Sequence, residues 1–390
     1  MLKLIKGAEI YNPDYLGKKD ILICNDKIIK IENEIVLKDK SLDVEVMDVN
    51  GKIVTPGFID QHVHLIGGGG EGGFHTRTPE IMLSDIIKSG VTTVVGLLGT
   101  DGTNRSLESL LAKAKGLDNE GITTYILTGS YELPSPTLTG TTKKDIVLID
   151  KVLGTKIALS DHRSSWPTKE EIIKLVTNNR VGGMLSNKQG VLVMHMGDAE
   201  TRLKIIFEIL NETTLPIKHF LPTHVNRNKE LFTDAIEFAK KGGVIDLTSG
   251  IVPTNNESNV VKPSKALKRC LLEGVSIDNI TMSSDSNGSK PEYDKYGNLL
   301  SMGVGTMDNT LKELKDMVNK EHIDFSDAIK LVTSNVSKLL GINENKGNIK
   351  VGSDADMIVF SKELDIDIVL ARGKTMLKNN KILVKGTYEK

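Results

Sequence analysis

Two histidines spaced two residues apart, His62 and His64, close the apolar run GFIDQHVH, which gives way to four consecutive glycines and then Glu71. Side chains two apart on a strand share a face, so both imidazoles project together from the strand's C-terminal end. Imidazole is the commonest protein ligand for metals, and two on one face make half of a tetrahedral zinc site. An ordinary half-buried strand can carry the same pair, and the spacing alone is not diagnostic. Residues further along the chain give the pair its weight.

Eight strand-like apolar runs alternate with helical stretches: GFIDQHVH, TTVVGLLGT, TTYILTGSY, TKIALSDH, VLVMHMGD, FLPTHVNR, VIDLTS and NITMSSDSNGS. The intervening TPEIMLSDIIKSG, SLESLLAKAKGLDNEG and KELFTDAIEFAKKGG repeat apolar residues at spacings of three and four and end near glycine, as amphipathic helices do. This α/β alternation predicts a (β/α)8 barrel of the TIM type over residues 56–346. An open doubly wound sheet is the alternative, but no GxGxxG opens a helix after the first run. Both chain ends alternate apolar and polar residues with Asn-Asp and Asn-Gly corners. They predict one small β-sandwich domain assembled from 1–55 and 347–390.

Barrel enzymes work at the C-terminal ends of their strands. Those ends present His62 and His64 on the first strand, Thr100 after the second, Tyr131 after the third and Lys156 on the fourth. His195 follows on the fifth, His224 on the sixth and Asp285 on the eighth. Of the other histidines, His219 and His322 read as surface or helix-end residues, and His75 and His162 as candidates for loop contributions. Four imidazoles, a carboxylate and a lysine exceed what one tetrahedral zinc requires, which points to two metals. A lone lysine in TKIALS would usually be a surface residue. Here, a protonated amine would repel two dications, whereas a buried neutral amine can react with carbon dioxide to give an anionic, bridging carbamate.

The composition narrows the function classes. With 50 basic and 51 acidic residues, a net charge of −1 gives no electrostatic case for binding nucleic acid or an anionic membrane. Two cysteines, Cys24 and Cys270, make no disulfide framework and suit a reducing cytoplasm. Neither a signal peptide's apolar core nor a membrane-length apolar run is present in the sequence. A cytoplasmic protein acting on a small molecule is the expectation.

HxH on the first strand, lysine on the fourth, histidines on the fifth and sixth and aspartate on the eighth resemble the amidohydrolase superfamily. Within it, GFIDQHVHLIGGGGE, TRTPE, LTGSY, SDHRS, HMGD, LPTHVNRN, SSDSNGS and GSDADMIVF resemble the isoaspartyl (β-aspartyl) dipeptidases, in order and over nearly the full length. The segment IVPTNNESNVVKPSKA after the seventh strand is longer than that resemblance leads one to expect. The resemblance implies two divalent cations, zinc first among them, one held by His62, His64 and the Lys156 carbamate, the other by that carbamate, His195 and His224. Asp285 would add a ligand to the first and act as general base and then acid, while a metal-bridging hydroxide attacks the isopeptide carbonyl and Tyr131 stabilises the oxyanion. It assigns Glu71 to the substrate's α-ammonium group and Gly69, Thr100 and Ser289 to its polar groups. Arg163 and Arg227 could hold carboxylates through bidentate forks. A homo-oligomer, an octamer in the family, is also implied. The competing readings are a cyclic amide hydrolase of the dihydropyrimidinase or hydantoinase kind and a non-catalytic scaffold of the same fold.

Overall fold

A computed structural model describes residues 1–390 apart from 40, 254–258, 295 and 297. Eight parallel strands run in chain order around a nearly closed barrel: Phe58–Val63, Val91–Gly96, Thr123–Gly129, Val152–Leu159, Val191–Met196, Phe220–Thr223, Ile245–Thr248 and Ile280–Ser283. Nearly every residue in them is buried. That is why they read as continuous apolar runs: parallel strands covered by helices have no solvent face to keep polar. First and eighth strands meet through a bridge between Val63 and Ser286 and the His64 amide on the Ser286 carbonyl, 2.9 Å.

The helices lie where the spacing predicts them, at Leu83–Lys88, Leu107–Glu120 and Lys229–Lys240. The longest, Lys169–Ser186, starts at a capping box in which the Thr168 hydroxyl accepts from the Glu171 amide and the Glu171 carboxylate accepts from the Thr168 amide. No helix among the described residues is long and apolar enough to cross a membrane.

Strands from the two chain ends join. Ile53–Pro56 pairs antiparallel with Met357–Phe360, joining the amino-terminal strands to the carboxy-terminal ones in one nine-stranded sheet. Ile5, Ile10, Ile21 and Ile23 share a buried cluster with Met357, Val359, Ile368 and Leu370 from the far end.

One element has no clear signal in the sequence: a two-stranded hairpin, Ser289–Tyr293 with Leu299–Val304, directly after the eighth barrel strand. Its second strand is largely exposed, so no buried face imposes alternation on it. Residues 254–258 of the long segment after the seventh strand lie outside the described residues.

Candidate functional site

All six expected metal-centre residues arrive at one mouth. His62, His64, Lys156, His195 and His224 are buried, and the Asp285 side chain keeps 18 % exposure. Lys156 sits inside its strand, with three residues still to run. Its Nζ lies 2.8 Å from His62 Nε2. Asp285 Oδ1 is 3.2 Å from His64 Nε2 and 3.5 Å from His62 Nε2, and its Oδ2 is 4.0 Å from His224 Nδ1. His62, His224 and Asp285 each offer a ligand atom within 4.8 Å of the others, near enough to share one cation. The His195 ring packs on His224 at 4.7 Å between centroids.

Two of these residues are held in backbone conformations that side chains rarely adopt. His224 (φ 62°) and Asp285 (φ 56°) both occupy the left-handed region, one and two residues beyond their strands. Such strain persists only where the surroundings overdetermine it, and it concentrates at functional sites.

Burial sets the charges. It holds the pKa values of His62, His195 and His224 well below the ordinary imidazole range and brings Lys156 down to about 7. Neutral rings carry free lone pairs, the form a metal requires. Burial pushes Asp285 the other way, but His224, His64 and Lys156 outweigh it and leave the carboxyl ionised, at about 2.

The fold also orients the rings. His195 Nε2 lies 2.9 Å from Asp161 Oδ2, so an Nε2–H tautomer donates to that carboxylate and leaves the Nδ1 lone pair available. Carboxylates behind ligand histidines commonly fix the tautomer in this way. The Tyr131 hydroxyl lies on that Nδ1 at 2.7 Å, rather than facing open space. Beneath His62, the Thr223 hydroxyl sits 3.4 Å from Nδ1 and donates to Asp246 Oδ2 at 2.7 Å. His64 Nδ1 is buried without a hydrogen-bond partner among the described residues. A buried donor set of neutral imidazoles, carboxylate and lysine, with an orphaned ring nitrogen, fits divalent cations.

The centre opens into a cavity of about 600 Å³. Glu71 reaches it from the glycine loop, where Gly67 and Gly69 have φ near +80° and a Cβ on either would collide with a backbone carbonyl. Arg105 clamps this loop from beneath, donating to the carbonyls of Ile66, Gly68 and Thr78. Glu71 Oε1 accepts from Thr100 (3.1 Å), Ser289 (2.9 Å) and Arg163 (3.2 Å), whereas its Oε2 is buried and has no partner among the described residues.

The two arginines depart from the expected arrangement. The Arg163 fork lies on Asp161, both contacts at 2.9 Å, and the Arg227 fork on Asp198, at 3.0 and 2.9 Å. A guanidinium withdrawn from water needs a counter-charge, and these aspartates provide it. Asp161 and Asp198 sit inside SDHRS and HMGD, one to three residues from residues singled out by the spacing. Lys290, from the unpredicted hairpin, also lines the cavity.

Among the remaining histidines, His162 lines the cavity with its side chain 65 % exposed, and His75 and His322 are exposed. His219 ends a short 3-10 turn as expected but is buried, packed just before the sixth strand.

The sequence profile described as "Amidohydrolase family" matches residues 53–383. Two crystal structures of the β-aspartyl dipeptidase of Fervidobacterium islandicum AW-1, one in complex with β-Asp-Leu dipeptide, are 42 % and 41 % identical. Each covers 98 % of both chains, with TM-scores of 0.90 and 0.89. A dihydroorotase of Aquifex aeolicus is 25 % identical over 408 residues, 92 % of this chain and 90 % of that one. Dihydropyrimidinase from Brevibacillus agri superposes with TM-score 0.69 over 99 % of this chain and 97 % of its own, at 17 % identity, a likeness of fold alone.

Proposed function

Since this chain belongs to the amidohydrolase family, we propose that it is a binuclear metal-dependent isoaspartyl dipeptidase, hydrolysing the isopeptide bond of β-aspartyl dipeptides. The observation that carries this reading is Glu71: a carboxylate with one oxygen gripped by three donors and the other buried and, among the described residues, unpartnered, on the cavity that the histidine cluster also lines. A buried carboxylate oxygen without a donor is costly, and a substrate ammonium group satisfies it. The 42 % identical dipeptidase over nearly the whole chain supports the same reading.

His62, His64, Asp285 and a carboxylated Lys156 would hold one divalent cation, and the same carbamate with His195 and His224 the other, zinc being the first choice for this donor set. Bound there, the cations would supply Lewis-acid polarisation of the scissile carbonyl and a lowered pKa for water. Asp285, ionised at neutral pH, accepts the proton of the attacking water and returns it to the leaving amine. Tyr131 stays protonated, because burial drives its pKa far above the usual phenol value, so it can donate to the oxyanion after leaving His195 Nδ1. Thr100, Ser289 and Gly69 line the ammonium end, and Arg163 and Arg227 approach the substrate carboxylates with Asp161 and Asp198 behind them. A homo-oligomer in the cytoplasm completes the proposal.

Glu71→Gln tests the ammonium site. Losing a charged hydrogen bond of roughly 1.5–3 kcal/mol should lower kcat/KM for β-Asp-Leu by about 10- to 150-fold, mostly through KM. A variant with unchanged KM would mean the ammonium binds elsewhere.

The dihydroorotase relative keeps a cyclic amide hydrolase in view. Neither dihydrouracil nor dihydroorotate carries an ammonium group for a buried carboxylate in this cavity to hold. Assaying β-Asp-Leu against dihydrouracil and dihydroorotate decides: the dipeptide should be the substrate, and turnover of a ring alone would end the proposal.

A further inference from the structure

The formal charges lining the cavity are unequally committed. Arg163 is held by Asp161 and Glu71, and Arg227 by Asp198. Lys290 alone of the lining cations has no carboxylate within ion-pair distance among the described residues. Its Nζ donates to the Gly250 carbonyl at 2.9 Å, leaving two N–H groups of the ammonium available.

Its direction is set by the hairpin. Adjacent residues on an extended strand point to opposite sides. Ser289 turns to Glu71, the ammonium end, and Lys290 turns to Gly250, beyond the seventh strand. A cation is thereby placed away from the substrate's own cation, on the wall built by the loops after the sixth to eighth strands. Ile251, Val252 and Pro291 line that wall, so a charge pair formed there is screened less than in bulk water.

Resting on the dipeptidase reading, we infer that Lys290 is a specificity-determining residue that binds the α-carboxylate of the leaving amino acid. The substrate class is then narrowed to β-aspartyl dipeptides with a free carboxy terminus. The α-carboxylate takes the two unused ammonium hydrogens, while Arg227 approaches from the same cavity with Asp198 still behind it.

The test compares β-Asp-Leu with its carboxy-terminal amide, using metal-loaded wild type, Lys290→Met and Lys290→Arg. Wild type should prefer the free acid by at least about tenfold in kcat/KM, the lower end expected for a hydrogen bond to a charged group. Lys290→Met should bring that ratio to within about threefold of unity, chiefly by raising KM for the acid. Metal content and turnover of the amide should stay unchanged, and Lys290→Arg should recover most of the preference. An undiminished preference in Lys290→Met, or a wild type indifferent to the amide, overturns the inference while leaving the dipeptidase reading standing. A wild type that cleaves neither dipeptide overturns both. The wild-type comparison holds even if a variant fails to fold.

Discussion

Replacing Lys156 by alanine should strip the centre of metal and lower turnover of β-Asp-Leu by at least about 10³-fold, or about 4 kcal/mol of barrier. Lys156 is fully buried against His62, and among the described residues no carboxylate forms an ion pair with its amine. Burial brings its pKa to about 7, so at neutral pH a large fraction of the metal-free protein carries the neutral amine. That form attacks carbon dioxide, the nitrogen losing a proton as the carbamate forms. Reloading of the wild-type apoprotein at fixed carbon dioxide pressure should therefore quicken as pH rises through about 7. In Lys156→Ala, acetate or propionate can enter the vacated volume as a substitute anion, and partial recovery of both metal and turnover is expected. Metal content determined by elemental analysis, with and without added acid, is the check. A variant that keeps two metals per chain without any added acid would rule the carbamate out.

Asp285→Asn should separate binding from chemistry. The amide oxygen preserves a neutral ligand in the same place, so most of the metal should remain. The proton acceptor is gone, and general acid–base contributions are worth about 10²- to 10⁴-fold, which sets the expected loss in kcat. The residue is held with a left-handed backbone, between His64 and His224, by the fold rather than by its own preference. A substitution that keeps shape should leave that backbone undisturbed. Near-normal kcat at full metal occupancy would show that another group carries the proton.

The barrel was legible because its strands are buried on both faces and its helices are not. The two periods differ along the sequence, and the eight apolar runs are the eight barrel strands. The side-chain cluster of the candidate site was legible for a related reason. His62, His64, Lys156, His195, His224 and Asp285 all stand at or near strand ends, where a barrel leaves few directions for a side chain to point. The groups behind those residues were hidden. Asp161 and Asp246 act on His195 and His62 across distances in sequence that no local pattern records, and each became visible only as a hydrogen-bond partner. The arginines were found but not their counter-charges, since an ion pair is a property of two loops brought together. Lys290 escaped because the hairpin carrying it lacks a buried face, and hence a period.

The electrostatics of the mouth also derive from its construction. Three lining acids besides Asp285, namely Glu71, Asp161 and Asp198, face Arg163, Arg227 and Lys290. Lining charges of both signs suit a substrate that itself carries both signs better than an uncharged ring.

The most direct test measures metal content and β-Asp-Leu hydrolysis on one preparation while the apoprotein is reloaded in steps. The expected result is two divalent cations per chain at saturation, with turnover rising as they bind and dihydrouracil left intact. Full dipeptide turnover in chelated, metal-free protein, or two bound cations with no dipeptide cleaved, would contradict it.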